Sequence, residues 1–222
     1  MIPQPRRTKV GVLISGRGSN MASLLKAAAA PDFPAEIALV ISNRADAGGL
    51  ATAAAAGVAT QVIDHKAYPD RPSFDAALDA ALDAAGVELV CLAGFMRLLT
   101  PRFTQDRYGR MINIHPSLLP LFKGLHTHER ALAEGVRLHG CTVHFVTAEM
   151  DVGPIILQAA VPVLDDDTPE TLGARVLAQE HVIYPAALRL VCEGRARIED
   201  GRVRIDAMGD LAGRRALVSQ GG

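Results

Sequence analysis

Residues 10–20 read Val10-Gly11-Val12-Leu13-Ile14-Ser15-Gly16-Arg17-Gly18-Ser19-Asn20 and set the pattern for the chain. The short, continuous apolar run from Val10 to Ile14 suits a strand buried on both faces. A glycine-rich turn follows, and an alanine-rich segment of helical length continues over Met21–Ala30. The unit then recurs. Apolar runs at Ile37–Ile41, Thr60–Ile63, Leu89–Leu92 and Met111–Ile114 are interleaved with alanine-rich stretches such as Ala47–Ala56 and Phe74–Ala85. Strands alternating with helices predict a parallel sheet covered on both faces, an α/β doubly wound architecture with a Rossmann-like N-terminal half.

Further along, the pattern changes. From Cys141 to Val146 polar and apolar residues alternate, and Ile155–Leu164 forms a second extended run after Gly153-Pro154. These predict extra strands that pair with the sheet or form a hairpin. A long C-terminal helix is predicted to start with Thr168 as N-cap and Pro169 at its first position, and to end at Gly194. We expect a single domain over residues 1–222. Its parts are a phosphate-binding half over about 9–110, a catalytic half over about 111–194 and a peripheral tail over 195–222.

Composition narrows the function classes. With 49% hydrophobic and 21% charged residues, 222 residues can fill a sizeable core. A net charge of -1 and a pI near 6.7 leave no electrostatic footprint for nucleic acid or an anionic membrane. Cys91, Cys141 and Cys192 lie far apart and form no CxxC pair, which points to a reducing cytoplasm. Arg6-Arg7 resembles a twin-arginine signal, but the apolar run behind it is too short for an export segment. No stretch is apolar for long enough to span a bilayer. A cytoplasmic protein acting on small molecules is expected, and the sequence is silent on its oligomeric state.

Two motifs carry chemistry. Ser15 to Asn20 lies between a strand and a helix, where glycines let the backbone approach an anion and free amides bind phosphate. A dinucleotide fingerprint would place a third glycine where Met21 stands, and an acidic residue where the second strand ends in Ser42-Asn43-Arg44. A phosphate ligand is therefore favoured, with NADP left open by Arg44. The second motif is Met111–Pro120, MINIHPSLLP. Asn113 and His115 are two apart on a strand, so they project from one face just where the strand gives way to a loop. An amide can hold an oxyanion while an imidazole moves a proton, which is half of an acyl-transfer site. An isolated Asn-x-His pair is more often a strand end, and Asp151 beside Gly153-Pro154 is more often a turn former. The functional alternative needs that carboxylate folded back against His115, where it would favour imidazolium.

The other polar clusters suggest plainer roles. His115, His126, His128, His139 and His144 have no metal-ligand spacing, so no metal is expected. Asp75, Asp79 and Asp83 would share one helix face and suit a solvated surface. Asp165-Asp166-Asp167 fits an acidic loop before a helix. No Walker-type loop is present.

With these pieces in order, the chain resembles the phosphoribosylglycinamide formyltransferases, the folate-dependent enzymes of purine synthesis. The resemblance rests on LISGRGSN at 13–20, SNRADAGGL at 42–50, LAGFMRLLTP at 92–101 and INIHPSLLP at 112–120. It continues in GLHTH at 124–128, GCTVHFVTAEMDVGPIILQ at 140–158 and QEHVIYP at 179–185. It implies the formyltransferase fold and a formyl transfer from 10-formyltetrahydrofolate, as co-substrate, to the amine of 5′-phosphoribosylglycinamide. Residue by residue, it implies Asn113, His115 and Asp151 as the catalytic trio, with His144 beside them. Gly18, Ser19 and Asn20 would hold the substrate phosphate and Glu180 its ribose. Arg71 and Met96, Arg97, Leu98 and Leu99 would border the folate pocket, reached also by Asn113. Lys123, before Gly124, and Val152 depart from the family pattern.

Rival readings share parts of this pattern. A methionyl-tRNA formyltransferase should carry a further RNA-binding domain and a basic surface. A formyltetrahydrofolate hydrolase should carry an extra N-terminal domain. A non-catalytic NADP- or phosphosugar-binding module would leave Asn113, His115 and Asp151 unexplained.

Overall fold

The computed structural model describes residues 6–206. Seven strands form one sheet: β1 (Thr8–Ile14), β2 (Ala35–Ser42), β3 (Ala59–Val62), β4 (Leu89–Leu92), β5 (Met111–His115), β6 (Leu138–Phe145) and β7 (Ile155–Pro162). Their spatial order is β3-β2-β1-β4-β5-β6-β7. The first five run parallel, and β6 and β7 are antiparallel to their neighbours. The helices are α1 (Ser19–Ala28), α2 (Gly48–Ala55), α3 (Arg71–Ala84), α4 (Pro101–Asp106), α5 (Thr127–Ala133) and α6 (Pro169–Cys192). This is the mixed α/β sheet with a long C-terminal helix that the strand-helix alternation predicts. No helix among the described residues is long and apolar enough to cross a membrane.

Alternation along β1 shows why the sheet is covered twice. Val10, Val12 and Ile14 share a core with Met21 and Leu24 of α1 and with Leu172, Val176, Tyr184 and Leu188 of α6. Leu13 packs on the other face with Phe74, Leu78 and Leu82 of α3. Gly11 points the same way as Leu13. A Cβ on it would lie 2.6 Å from Cδ2 of Leu82, so its missing side chain is what lets α3 approach. Helix α6 starts as its sequence predicts: Thr168 and Thr171 form a reciprocal capping pair, with Pro169 at the first position. Deep inside, the fully buried Tyr184 hydroxyl donates to the Leu92 carbonyl at 2.9 Å, which pins α6 under the end of β4.

Two expectations need correction. The Asp75-Asp79-Asp83 stripe is solvated only at its far end, where Asp83 is exposed. Asp75 is 3% exposed, and Arg107, at the end of α4, reaches Asp79 at 2.7 Å and Asp83 at 3.1 Å. The like charges tolerate their spacing because a buried guanidinium sits between two of them. The chain beyond Arg195 is not wholly peripheral either. β8 (Ala196–Glu199) and β9 (Arg202–Ile205) form a hairpin whose Ala196 is buried and whose Ile198, Val203 and Ile205 pack against the core. Positions 207–222, with Gly213, Gly221 and Gly222, lie outside the described residues.

The topology decides where a site can form. From β1 the chain moves to β2 on one side and later to β4 on the other, so the C-terminal ends of β1 and β4 flank a crevice at the reversal of strand order.

Candidate active site

A cavity of about 390 Å³ occupies that crevice, lined by Ser15 to Asn20, by Asn43, Arg44 and His65, and by Ala93, Gly94, Met96 and Arg97. Gly18 is the N-cap of α1 with φ 71°, a left-handed conformation that glycine adopts without strain. The amides opening α1 have no partner in a preceding turn and carry the positive end of the helix dipole. Arg17, Arg44 and Arg97 add positive charge, and no carboxylate lines the cavity. The arrangement is built for an anion.

A buried polar network holds the three strand ends together. The Ser15 hydroxyl donates to Asn43 Oδ1 at 2.6 Å and accepts from the Met96 amide at 2.8 Å. Asn43 Nδ2 lies 3.2 Å from His65 Nδ1. Ser15 belongs to the expected phosphate loop, but the roles of its hydroxyl, of Asn43 and of His65 were missed. The first two stand inside recognisable segments, whereas His65 sits on a three-residue helical turn that leaves no periodic signal. Asn20, at the start of α1, donates to Glu180 Oε2 at 2.6 Å. Glu180 is 5% exposed and does not line the cavity, and its burial raises its carboxyl pKa. One oxygen of the carboxylate expected on a ribose thus accepts from Asn20.

A second group of residues forms two strands away from β1, roughly 10 Å across the sheet. Asn113 and His115 leave the same face of β5, opposite to Ile112 and Ile114, which point into the α1/α6 core. On antiparallel β6 the register sets His144 beside Asn113 and Thr142 beside His115. The loop between β6 and β7 then brings Asp151 back over this face. Its Oδ2 lies 3.4 Å from His115 Nδ1 and accepts from the Gly124 amide at 2.9 Å. His115 and Asp151 are both more than nine-tenths buried.

Hydrogen-bond partners assign the ring protons. A carbonyl oxygen only accepts, so His115 Nε2, 3.0 Å from the Phe122 carbonyl, carries a proton. His144 Nδ1 likewise donates to the Phe145 carbonyl at 2.9 Å. Its Nε2 is then free to accept from Asn113 Nδ2 at 3.2 Å. Burial, which disfavours a charged ring, lowers the His144 pKa and agrees with this neutral tautomer. Phe122, His126 and Asp151 all have positive φ, at 52°, 56° and 55°. Non-glycine residues rarely hold that conformation, and two of them, Phe122 and Asp151, lie against His115.

The remaining expected residues divide. Met96 and Arg97 line the cavity; Leu98 is 58% exposed, and Leu99 packs against the α3 core. Arg71 is exposed at the first position of α3 and does not line the cavity. The carbonyl of Phe122 and the amide of Gly124 were missed, since main-chain groups leave no mark in a sequence. Lys123, between them, accepts from Arg130 through its carbonyl at 2.7 Å, and Val152 is partly exposed. Among the described residues, no group of three or more His, Cys, Asp and Glu side chains is placed to hold a metal ion.

The chain is similar to known proteins in sequence and fold. The formyl transferase family model matches residues 8–188. A phosphoribosylglycinamide formyltransferase of Haemophilus influenzae is 44% identical over 198 residues, covering 89% of this chain and 93% of that protein. The bovine trifunctional purine biosynthetic protein adenosine-3 is 51% identical over 201 residues; the match covers 90% of this chain but only 20% of that longer protein. Among solved structures, the glycinamide ribonucleotide transformylase 1 of Symbiobacterium toebii superposes with a TM-score of 0.87 at 55% identity, covering 90% of this chain and 94% of that one.

Proposed function

Because the chain belongs to the formyl transferase family, we propose that it moves the formyl group of 10-formyltetrahydrofolate onto the amine of 5′-phosphoribosylglycinamide. The observation that carries this reading is an anion cavity at the end of β1 with the Asn113-His115-Asp151 group two strands away on β5. A substrate with a phosphate at one end and an amine at the other is what such a pair of sites would hold.

The chemistry follows from the groups present. The amine lone pair attacks the formyl carbon, and the formyl oxygen becomes an oxyanion. Asn113 and the protonated face of His115 stabilise it. Collapse breaks the bond to the folate nitrogen, which leaves with the proton that the amine gives up. Both ring nitrogens of His115 face acceptors, the Phe122 carbonyl and the Asp151 carboxylate, an arrangement that an imidazolium satisfies. The proton on Nε2 lies against the Phe122 carbonyl in this structure, so that carbonyl gives way as the oxyanion forms. Holding both substrates side by side supplies the remaining rate advantage without any further catalyst.

A reducing cytoplasm fits the cysteines, which are all unpaired; burial raises the thiol pKa of Cys141 to about 12 and that of Cys192 to about 11. The deciding experiment mixes purified protein with both substrates and follows tetrahydrofolate and the formylated ribonucleotide together. Equal amounts of both products support the reading. Formate in place of the ribonucleotide product would make the protein a hydrolase, and no turnover would sink the proposal.

A further inference from the structure

Met96 and Leu98 are 67% and 58% exposed on a loop between β4 and α4, an arrangement that leaves apolar side chains in water unless something covers them. The loop nevertheless has a single course, because it is gripped at three points. At its start, the Phe95 ring stacks on Phe74 of α3, with centroids 6.5 Å apart and an interplanar angle of 8°. Next, the Met96 amide donates to the Ser15 hydroxyl at 2.8 Å. At its end, the Thr100 amide donates to Asp75 Oδ2 at 2.7 Å. Asp75 and Phe74 are neighbours on α3 and both 3% exposed, so one turn of one helix holds both ends of the loop.

A buried carboxylate is costly to keep in an apolar core, and a backbone amide is a modest reason to keep it. Asp75 Oδ1 has no partner at all among the described residues. A structural residue chosen for stability alone would be apolar or fully paired. We infer that Asp75 is a positioning residue for the formyl donor: it fixes the loop 95–100 in the shape that presents Met96 and Leu98 as a preformed apolar surface for the flat ring system of the folate. This rests on the proposed function, since the loop borders the cavity through Met96 and Arg97. Its physical basis is preorganisation, because a loop already ordered loses no further entropy when the ring docks.

The test separates the clamp from the reaction. Amide exchange is measured in wild type, Asp75→Ala and Asp75→Asn, and KM is then measured for each substrate. Asp75→Ala should speed exchange across 95–100 while amides of β1 and α6 keep their protection. It should also raise KM for the formyl donor on the order of tenfold, the effect of losing one hydrogen bond to a charged group, and raise KM for the ribonucleotide clearly less, through Met96 and Arg97 at the edge of the anion cavity. Asp75→Asn keeps an acceptor for the Thr100 amide and should fall between the two. It also serves if the alanine variant fails to fold. Unchanged exchange in the loop would overturn the clamp. A loosened loop with equal changes in both KM values would overturn the positioning role. A wild type without turnover, but with the expected exchange pattern, would instead count against the proposed function and leave the clamp standing.

Discussion

The carboxylate of Asp151 stands 3.4 Å from Nδ1 of His115, with both side chains less than a tenth exposed. The two residues meet only because β5, β6 and β7 are sheet neighbours and the β6–β7 loop folds back over the end of β5. In such a dry setting a carboxylate and an imidazole influence each other strongly.

If the pair acts as a unit, its mutations will not add. His115→Ala should lower kcat on the order of a hundredfold or more, as loss of a general acid/base group does. Asp151→Asn keeps the shape and should lower it by roughly tenfold or more through the lost charge. In the His115→Ala background, however, Asp151→Asn should change almost nothing. A double variant as impaired as the product of the single effects would separate Asp151 from His115.

The phosphate loop predicts a selective defect. A Cβ on Gly18 would lie 3.1 Å from Gly49 Cα and from Met21 Cε, and its φ of 71° strains any other residue. Gly18→Val should therefore distort the first turn of α1 and weaken ribonucleotide binding far more than binding of a folate. Calorimetry with each ligand decides it, and equal losses would mean that the loop does not carry the phosphate.

Acid should loosen the molecule through His139. It is 1% exposed, lies 3.1 Å from His128 Nδ1, and packs edge-on against Phe122. Burial first, and His128 second, lower its pKa from 6.5 to about 4. The unfolded chain therefore binds a proton that the folded one refuses between these values. Stability is fully present above about pH 6.5 and falls as pH drops towards 4. Thermal unfolding across that window should show the decline, and His139→Phe should flatten it. An equally steep decline in the variant would assign the effect to other groups.

Two arginines of neighbouring sequence should behave differently. Arg107 is 6% exposed between Asp79 and Asp83, whereas Arg102 is 91% exposed beside Asp106. Removing the buried guanidinium leaves two carboxylates facing each other, so Arg107→Ala should cost about 2 kcal/mol or more. Arg102→Ala should cost less than about 1 kcal/mol. Chemical denaturation of both variants makes the comparison, and similar losses would show that burial is not what matters.

Local chemistry was enough for much of this architecture. Continuous apolar runs marked β1, β2, β4 and β5, because strands buried on two faces leave no other pattern. Thr168, Pro169 and Gly194 marked both ends of α6, because caps act within one turn. Asn113 and His115 were legible as a pair, since strand alternation alone puts them on one face. Helices α4 and α5 were not legible. At six and seven residues they are too short to be stable by themselves and exist through what they pack against. The same holds for the hairpin of β8 and β9, whose Ile198, Val203 and Ile205 gain their environment from a distant core.

What the tertiary structure alone decided is which charges meet. By residue pattern alone, Asp75, Asp79 and Asp83 are a helix stripe, Asp151 is a turn residue and Glu180 is a polar position on a helix; only the family resemblance pointed Asp151 towards His115 and Glu180 towards a ribose. Folding turns them into a loop clamp, an arginine dock, a partner for His115 and a partner for Asn20. Strand and helix patterns arise from interactions a few residues long, so the chain encodes them locally. Electrostatic partners are set by which strand ends and loops the sheet order brings together, and no local pattern carries that order.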